Sequence, residues 1–403
     1  MPFELFVALR FLREGKAQTA LILGGVSMGV AVIVFLSALI GGLQKSLIKQ
    51  TLGSQAHITL RAPDEAARPL TTGPGVLHLV DPPAQRLRAI DQWQQTVQLL
   101  QRAEGVSAVS PVAAGAAFAS RGNASRSVAL RGVDPESFPA IVDLPAAITS
   151  GAWRLRGAEA VIGTELASQL GVSVGDKLRI NTPEGRDQSF QITGIFDLGN
   201  KDVNGRWVLV PLRSAQTLLD LVGGASAIEL KVQQIFNAED IAQGLQRRTG
   251  LVADSWMKVN SQLLVGLRSQ DSSKTMIQTF VIIAVALGIA SVLIVSVVQK
   301  SKEIGILKAM GARTGTVMRI FLLQGGIVGA VGAVLGCGLG TLFARFFQAL
   351  AVNPDGTPRF PADVGVELYA AASLIALCTG LFSAVAPARR AAKLDPATVI
   401  RNG

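Results

Sequence analysis

Residues 302–312 read Lys-Glu-Ile-Gly-Ile-Leu-Lys-Ala-Met-Gly-Ala, a short basic segment between two apolar runs. Residues 276–298 before it hold no charge in 23 positions, and residues 320–344 after it hold none in 25. A helix crosses the hydrocarbon core of a bilayer with about 20 apolar residues, so each run can span and the segment is a short loop between spans. Lys300, Lys302, Lys308, Arg313 and Arg319 stand there against one acid, Glu303, and the positive-inside rule places the loop in the cytoplasm. Ile304 and Leu307 share one helical face with Gly311, Ile306 and Met310 form a second apolar strip beside it, and Gly311 sits where a helix can end. That spacing supports an amphipathic helix, although Gly305 weakens it. Composition alone favours a plainer reading, a basic juxtamembrane loop lying on anionic headgroups.

The whole chain has 403 residues, 49% of them apolar and only 16% charged, which points to a membrane protein. Its net charge of +10 would suggest nucleic acid in a soluble protein, but the distribution of the excess excludes that. Residues 44–274 hold 24 Lys and Arg against 21 Asp and Glu, whereas 1–16, 299–319 and 389–403 together hold 12 against 4. The excess is topological, and nucleic acid is not an expected partner. Cys337 and Cys378 fall inside apolar runs, so no disulfide is expected in the large polar part.

In chain order, residues 1–16 read as a cytoplasmic interfacial helix, with Leu5, Leu9 and Leu12 on one face and Arg10, Arg13 and Lys16 nearby. Residues 17–43, uncharged over 27 positions, form a retained first span. Gly25-Val26-Ser27-Met28-Gly29 spells a nucleophile elbow, but mid-span it lacks the strand and turn that motif needs; Gly25 and Gly29 are instead a helix-packing pair. Residues 44–274 have the composition of an α/β domain on the side opposite the basic loop, so periplasmic or extracellular. Its first lobe takes a strand at 57–60, a Pro/Gly-rich loop at 63–83, a helix at 91–104 and a strand at 106–112. The pattern returns with a strand at 227–232, a helix at 238–249 and a strand at 251–255, so the lobe is discontinuous and a second lobe, about 149–219, is inserted into it. In the insert Ile162, Leu166 and Leu170 recur at helical spacing before Gly171. Trp256, Val259, Leu263 and Leu267 form a helical stripe leading into the second span, 276–298, where it packs on a stalk rising from the first. The third span, 320–344, carries Gly325, Gly329, Gly332, Gly336 and Gly340 for close packing, within the chain or across a dimer. An external loop, 345–367, a fourth span, 368–388, and a cytoplasmic tail, 389–403, complete a four-span membrane protein with one large α/β domain between helices one and two.

The order of residues 302–312, VIGTELASQLGVSVGDKL in the insert and APARRAAKLDPATVIR at the end resemble permeases of the ABC superfamily of the MacB, lipoprotein-releasing (Lol) and FtsX-like kind. The resemblance covers essentially the whole chain. It implies that Lys302, Glu303, Ile304, Gly305, Ile306, Leu307, Lys308, Met310 and Gly311 dock on a separate ATPase, that two permease copies or a copy and a paralogue act together, and that stalks carry motion to the outer domain. The chain has no phosphate-cradling Walker loop, so it is not expected to be an enzyme or to hold a cofactor; ATP and Mg belong to the partner. His57 and His78 are the only histidines, which leaves almost no raw material for metal or histidine catalysis.

Export of an amphiphilic or periplasmic substrate with a membrane-fusion adaptor is the leading expectation, because only residues 182–186 separate two strands where carrier-recruiting lipoprotein-releasing permeases have a protruding hairpin. Lipoprotein release from the inner membrane is the runner-up. A regulator of a cell-wall hydrolase, as in the cell-division relatives, is the alternative of another class. Membrane lipid is a partner in every case, and no substrate-contact residue is legible.

Overall fold

The computed structural model describes residues 3–65, 85–86, 89–350, 362 and 364–394. His78, most of the 63–83 loop and most of the 345–367 loop lie outside them, as does the tail beyond residue 394. The chain divides into a helical unit, 1–47 with 265–403, and an α/β unit, 48–264.

The helical unit holds α1 (Phe3–Glu14), most of α2 (Lys16–Gly53) and of α10 (Ser261–Gln299), α11 (Ser301–Ala309), α12 (Thr314–Leu350) and α13 (Val366–Ala392). Four of these helices are long and apolar enough to cross a membrane. At 1.5 Å per residue the 38 residues of α2 and the 39 of α10 exceed the ~30 Å hydrocarbon core, so each runs well past the expected 17–43 and 276–298.

Glycine governs how these helices meet. A Cβ at Gly329 would lie 2.7 Å from the carbonyl oxygen of Ala376 and 3.1 Å from the Cα of Leu377, and one at Gly325 would strike the carbonyl of Gly380 on the same helix, α13. Farther along α12 the partner changes to α2: Gly332 faces Val26, Gly336 faces Val30 and the carbonyl of Ser27, and Gly340 faces Val34 and the carbonyl of Ala31. The stripe therefore packs within one chain. Gly29 meets Val285 of α10, but Gly25 meets nothing and is exposed. The expected pair is thus one contact glycine and one open one.

The α/β unit contains β1 (Ile58–Arg61), β2 (Asp64–Glu65), β3 (Gln85–Arg86), α3 (Trp93–Gln101), β4 (Val106–Arg121), β5 (Ala124–Val133), α4 (Leu144–Ala147), β6 (Ile148–Gly151), β7 (Glu159–Gly163), α5 (Thr164–Leu170), β8 (Lys177–Asn181), β9 (Asp187–Phe196), α6 (Lys201–Arg206), β10 (Trp207–Pro211), α7 (Leu212–Leu218), β11 (Ala227–Val232), α8 (Ala238–Thr249), β12 (Val252–Ser255) and α9 (Trp256–Val259). Ten strands form one mixed sheet in the order β12-β1-β11-β4-β5-β10-β7-β9-β6, with β8 joined to β4 and β9. One core lies under α8, on β1, β11 and the start of β4, and is built on Ile58, Leu60, Leu100, Ile228, Leu230 and Leu245. A second gathers Val128, Leu130, Ile162, Leu166, Phe190 and Val208.

The lobe boundary differs from the expected 149–219. Strand β4 continues past Val112 to Arg121, turns through Gly122-Asn123 and returns as β5, pairing Arg121 with Ala124 and Val112 with Val133. Ala113, Ala117 and Ala119 lie in the second core, so the second lobe starts inside β4. Beyond Val112 the strand is alanine-rich and has none of the β-branched residues that mark one in sequence, which is why its length is concealed. Ile162 is a strand residue of β7, and the helix begins at Thr164. The stripe from Trp256 to Leu267 is broken at Asn260, where α9 ends and before α10 begins. Trp256 turns into the first core and donates its Nε1–H to the Ile235 carbonyl at 2.7 Å, while Val259 is exposed.

Two predictions follow from these contacts. Gly329→Leu forces a side chain against backbone that cannot yield and should cost about 1–3 kcal/mol, whereas Gly25→Leu should stay within about 0.5 kcal/mol; thermal unfolding of the full chain in detergent separates them. His57 is buried, with Nδ1 3.1 Å from the Val232 nitrogen. Burial foremost, then the charge of Lys231, lowers its pKa from the ordinary value, against an opposing hydrogen bond to Val232. The unfolded chain then takes up a proton at about pH 6.5, before the folded one does, so stability should fall as pH drops through that point. His57→Asn, which keeps an acceptor and loses the titration, should flatten that part of the pH profile of thermal midpoints.

Candidate functional site

The segment that decides the sequence reading is a helix, α11, rather than an open loop. The carbonyl of Lys300 accepts from the Ile304 N–H at 3.0 Å to open it, and Glu303 in the first turn and Lys308 in the last complement its dipole. It ends where the sequence places a stop. Gly311 adopts φ 98, a left-handed conformation that favours glycine, and the Ala312 N–H closes back on the Leu307 carbonyl at 3.1 Å.

The two apolar strips have different fates. Ile304, only 1% exposed, is enclosed by Val297 of α10, Val317 and Phe321 of α12, and Ala388 and Ala391 of α13. Gly305 is buried beside it, and Leu307 packs on a cluster of Val7, Ala8, Phe11 and Ile320. Ile306 is 47% exposed and Met310 81%. Lys302, Glu303 and Gly311 are exposed as well. Of the nine expected docking residues, Ile304, Gly305 and Leu307 therefore hold the helix to its own chain, and Ile306 and Met310 carry the apolar part of the open face.

Polar contacts fix both ends of α11. At the start, Lys300 Nζ lies 2.5 Å from Glu14 Oε2 and 2.8 Å from Glu303 Oε1, and 5.6 Å from the centroid of the Phe11 ring. The hydrogen bond from Lys300, then that from Arg10, lowers the Glu14 pKa; the bonds to Glu14 and then Glu303 raise that of Lys300. At the finish, Lys308 Nζ donates to the carbonyls of Ala392 at 2.9 Å and Leu394 at 2.6 Å. Lys308, one of the nine expected docking residues, is thus engaged by the end of α13. Glu14 had no signal in the sequence, being nearly 300 residues from its partner.

Helix α1 buries Val7, Ala8 and Phe11 against its own chain, while Phe3, Phe6 and Leu9, the last on the face through Leu5, Leu9 and Leu12, are exposed. In the α/β unit, β8 and β9 are joined by a tight turn in which the Thr182 N–H reaches the Arg186 carbonyl at 2.8 Å, so no hairpin protrudes there.

Comparison with known proteins places these features. The chain matches the model of the MacB-like periplasmic core domain over residues 19–248 and that of the FtsX-like permease C-terminal over 275–396. It is 23% identical to the lipoprotein-releasing system transmembrane protein LolC of Neisseria meningitidis serogroup B and 25% identical to LolE of Haemophilus influenzae, with 99% of both chains covered in each case. It is 25% identical to the macrolide export ATP-binding/permease protein MacB of Azoarcus sp., where 98% of this chain covers 58% of the relative. The chain belongs to the family of ABC transporter permeases built from a MacB-like core domain and an FtsX-like C-terminal domain.

Proposed function

We propose that this chain is the non-catalytic permease subunit of a lipoprotein-releasing type of ABC transporter, in which α11 docks on a separate ATPase that binds ATP and Mg. The observation that carries the reading is the division of α11: its inner strip is held by three neighbouring helices and its outer strip, Ile306 and Met310, is left open between exposed Lys302 and Glu303. The positive-inside rule sets α11 and both termini in the cytoplasm and the α/β unit in the periplasm of an inner-membrane protein. A second copy or a paralogue completes the transporter.

Lipoprotein as the substrate is supported by end-to-end similarity to LolC and LolE, two relatives whose names state that role. The tight β8–β9 turn supports a second reading, MacB-like export with a membrane-fusion adaptor. Mass spectrometry of what copurifies with the tagged chain separates them: bound lipoprotein without an adaptor supports release, and an adaptor supports export.

Docking has its own test. Interface anchors are each worth about 2 kcal/mol or more, so Ile306→Asp with Met310→Asp should lower ATPase recovery on the permease by at least about thirtyfold. The double variant should keep the thermal stability of the parent. Ile304→Asp should instead destabilise the permease itself by several kcal/mol, on the order of a buried unpaired charge. Full ATPase recovery on the Ile306/Met310 double variant would sink the docking assignment.

A further inference from the structure

The fourth span meets the coupling helix at its very end. Pro387 lies inside α13, where it cannot donate to the carbonyl four residues back and its ring presses on that turn, a usual place for a helix to bend. Only residues 388–392 of the helix follow it. Their buried face, Ala388 and Ala391, packs against Ile304 of α11. Their end is held by Lys308, whose ammonium donates to the carbonyls of Ala392 and Leu394. The carbonyls of a last helical turn have no intrahelical partner, and a cation there meets the negative end of the helix dipole, so two charge-assisted bonds form where both sides need them. An ammonium committed to two carbonyls of its own chain is not offered to an ATPase.

Resting on the reading that α11 docks on an ATPase, we propose that Lys308 is a positioning residue that transmits displacement of α11 to the fourth span. The turn beyond Pro387 travels with α11 as one block, held by Ile304 on its side and Lys308 at its end, and Pro387 is where that block articulates with the rest of α13. Within the segment, binding and transmission then belong to different residues: Ile306 and Met310 face the partner, and Lys308 faces α13.

The test uses the full permease–ATPase complex, with Cys337 and Cys378 replaced by alanine and spin labels at the exposed positions Leu381 and Lys393, about 18 Å apart along the helix. Adding a non-hydrolysable ATP analogue should change the label separation in the parent. Lys308→Gln should keep ATPase recovery and basal hydrolysis within about twofold while reducing the nucleotide-driven distance change to less than about a third. Lys308→Arg, which keeps the charge and the donors, should restore the change; a merely structural role would move assembly and hydrolysis along with it. Pro387→Ala should also reduce the change with the ATPase still bound, and it decides the matter should Lys308→Gln fail to fold. An unchanged distance response in Lys308→Gln or Pro387→Ala, or none in the parent, would overturn the proposal. So would loss of the ATPase from Lys308→Gln to the extent seen with Met310→Asp. Retention of the ATPase by Met310→Asp, in contrast, would refute the docking reading itself.

Discussion

Close approach of backbone to backbone at α12 is the contact on which the helical unit depends. Inside a bilayer, lipid tails are as apolar as leucine, so helices associate through dispersion packing that only small residues allow at short range. Gly325 and Gly329 admit the carbonyls of α13, and Gly336 and Gly340 admit those of α2. Helix α12 is the shared member of both contacts. The enclosure of Ile304 draws on α10, α12 and α13 together, and that of Leu307 on α1 and α12. A methyl group at the glycine contacts would shift α12 and loosen both sites.

That dependence explains how a nine-residue helix can present a defined surface. A helix so short is unstable on its own in water, and its stability must come from packing. Here the packing is intramolecular: Ile304, Gly305 and Leu307 turn inward, Lys300 joins the first turn to Glu14, and Gly311 ends the last. The open strip is therefore ordered by its own chain, and a partner that used it would not have to order the segment as well. The motif is long because it encodes two faces, one toward its own chain and one outward.

Much of this was legible in the sequence because its signals are local. Four uncharged runs give four spanning helices, Gly311 ends α11, and the returning strand and helix at 227–249 coincide with β11 and α8. The failures share a cause in tertiary context. Gly25 and Gly29 are the same residue four apart, and only the neighbouring side chains distinguish them, Val285 at Gly29 and none at Gly25. The alanines from Ala113 to Ala119 are weak strand formers held in β4 by pairing with β5, joined by β8 on the other side only from Phe118 onward. Trp256 looked like a stalk residue because it sits at helical spacing from Leu263 and Leu267, yet Asn260 interrupts the helix and sends the indole into the α/β core. The partners of Lys308 were hidden in the same way, since it donates to carbonyls more than 80 residues away.

The distribution of basic residues gains a second meaning from these contacts. Counting charges places the segment on one side of the membrane, and a loop attracted to anionic headgroups would satisfy that count equally well. Such a loop would turn its cations outward. Lys300 is instead engaged by two carboxylates and lies near an aromatic ring, and Lys308 is engaged by the end of α13. Neither ammonium is disposed toward a headgroup, whereas Lys302, Arg313 and Arg319 are exposed together with Ile306 and Met310. Some of the positive charge counted for topology thus also fixes architecture, and what α11 leaves exposed is an apolar strip with charged neighbours.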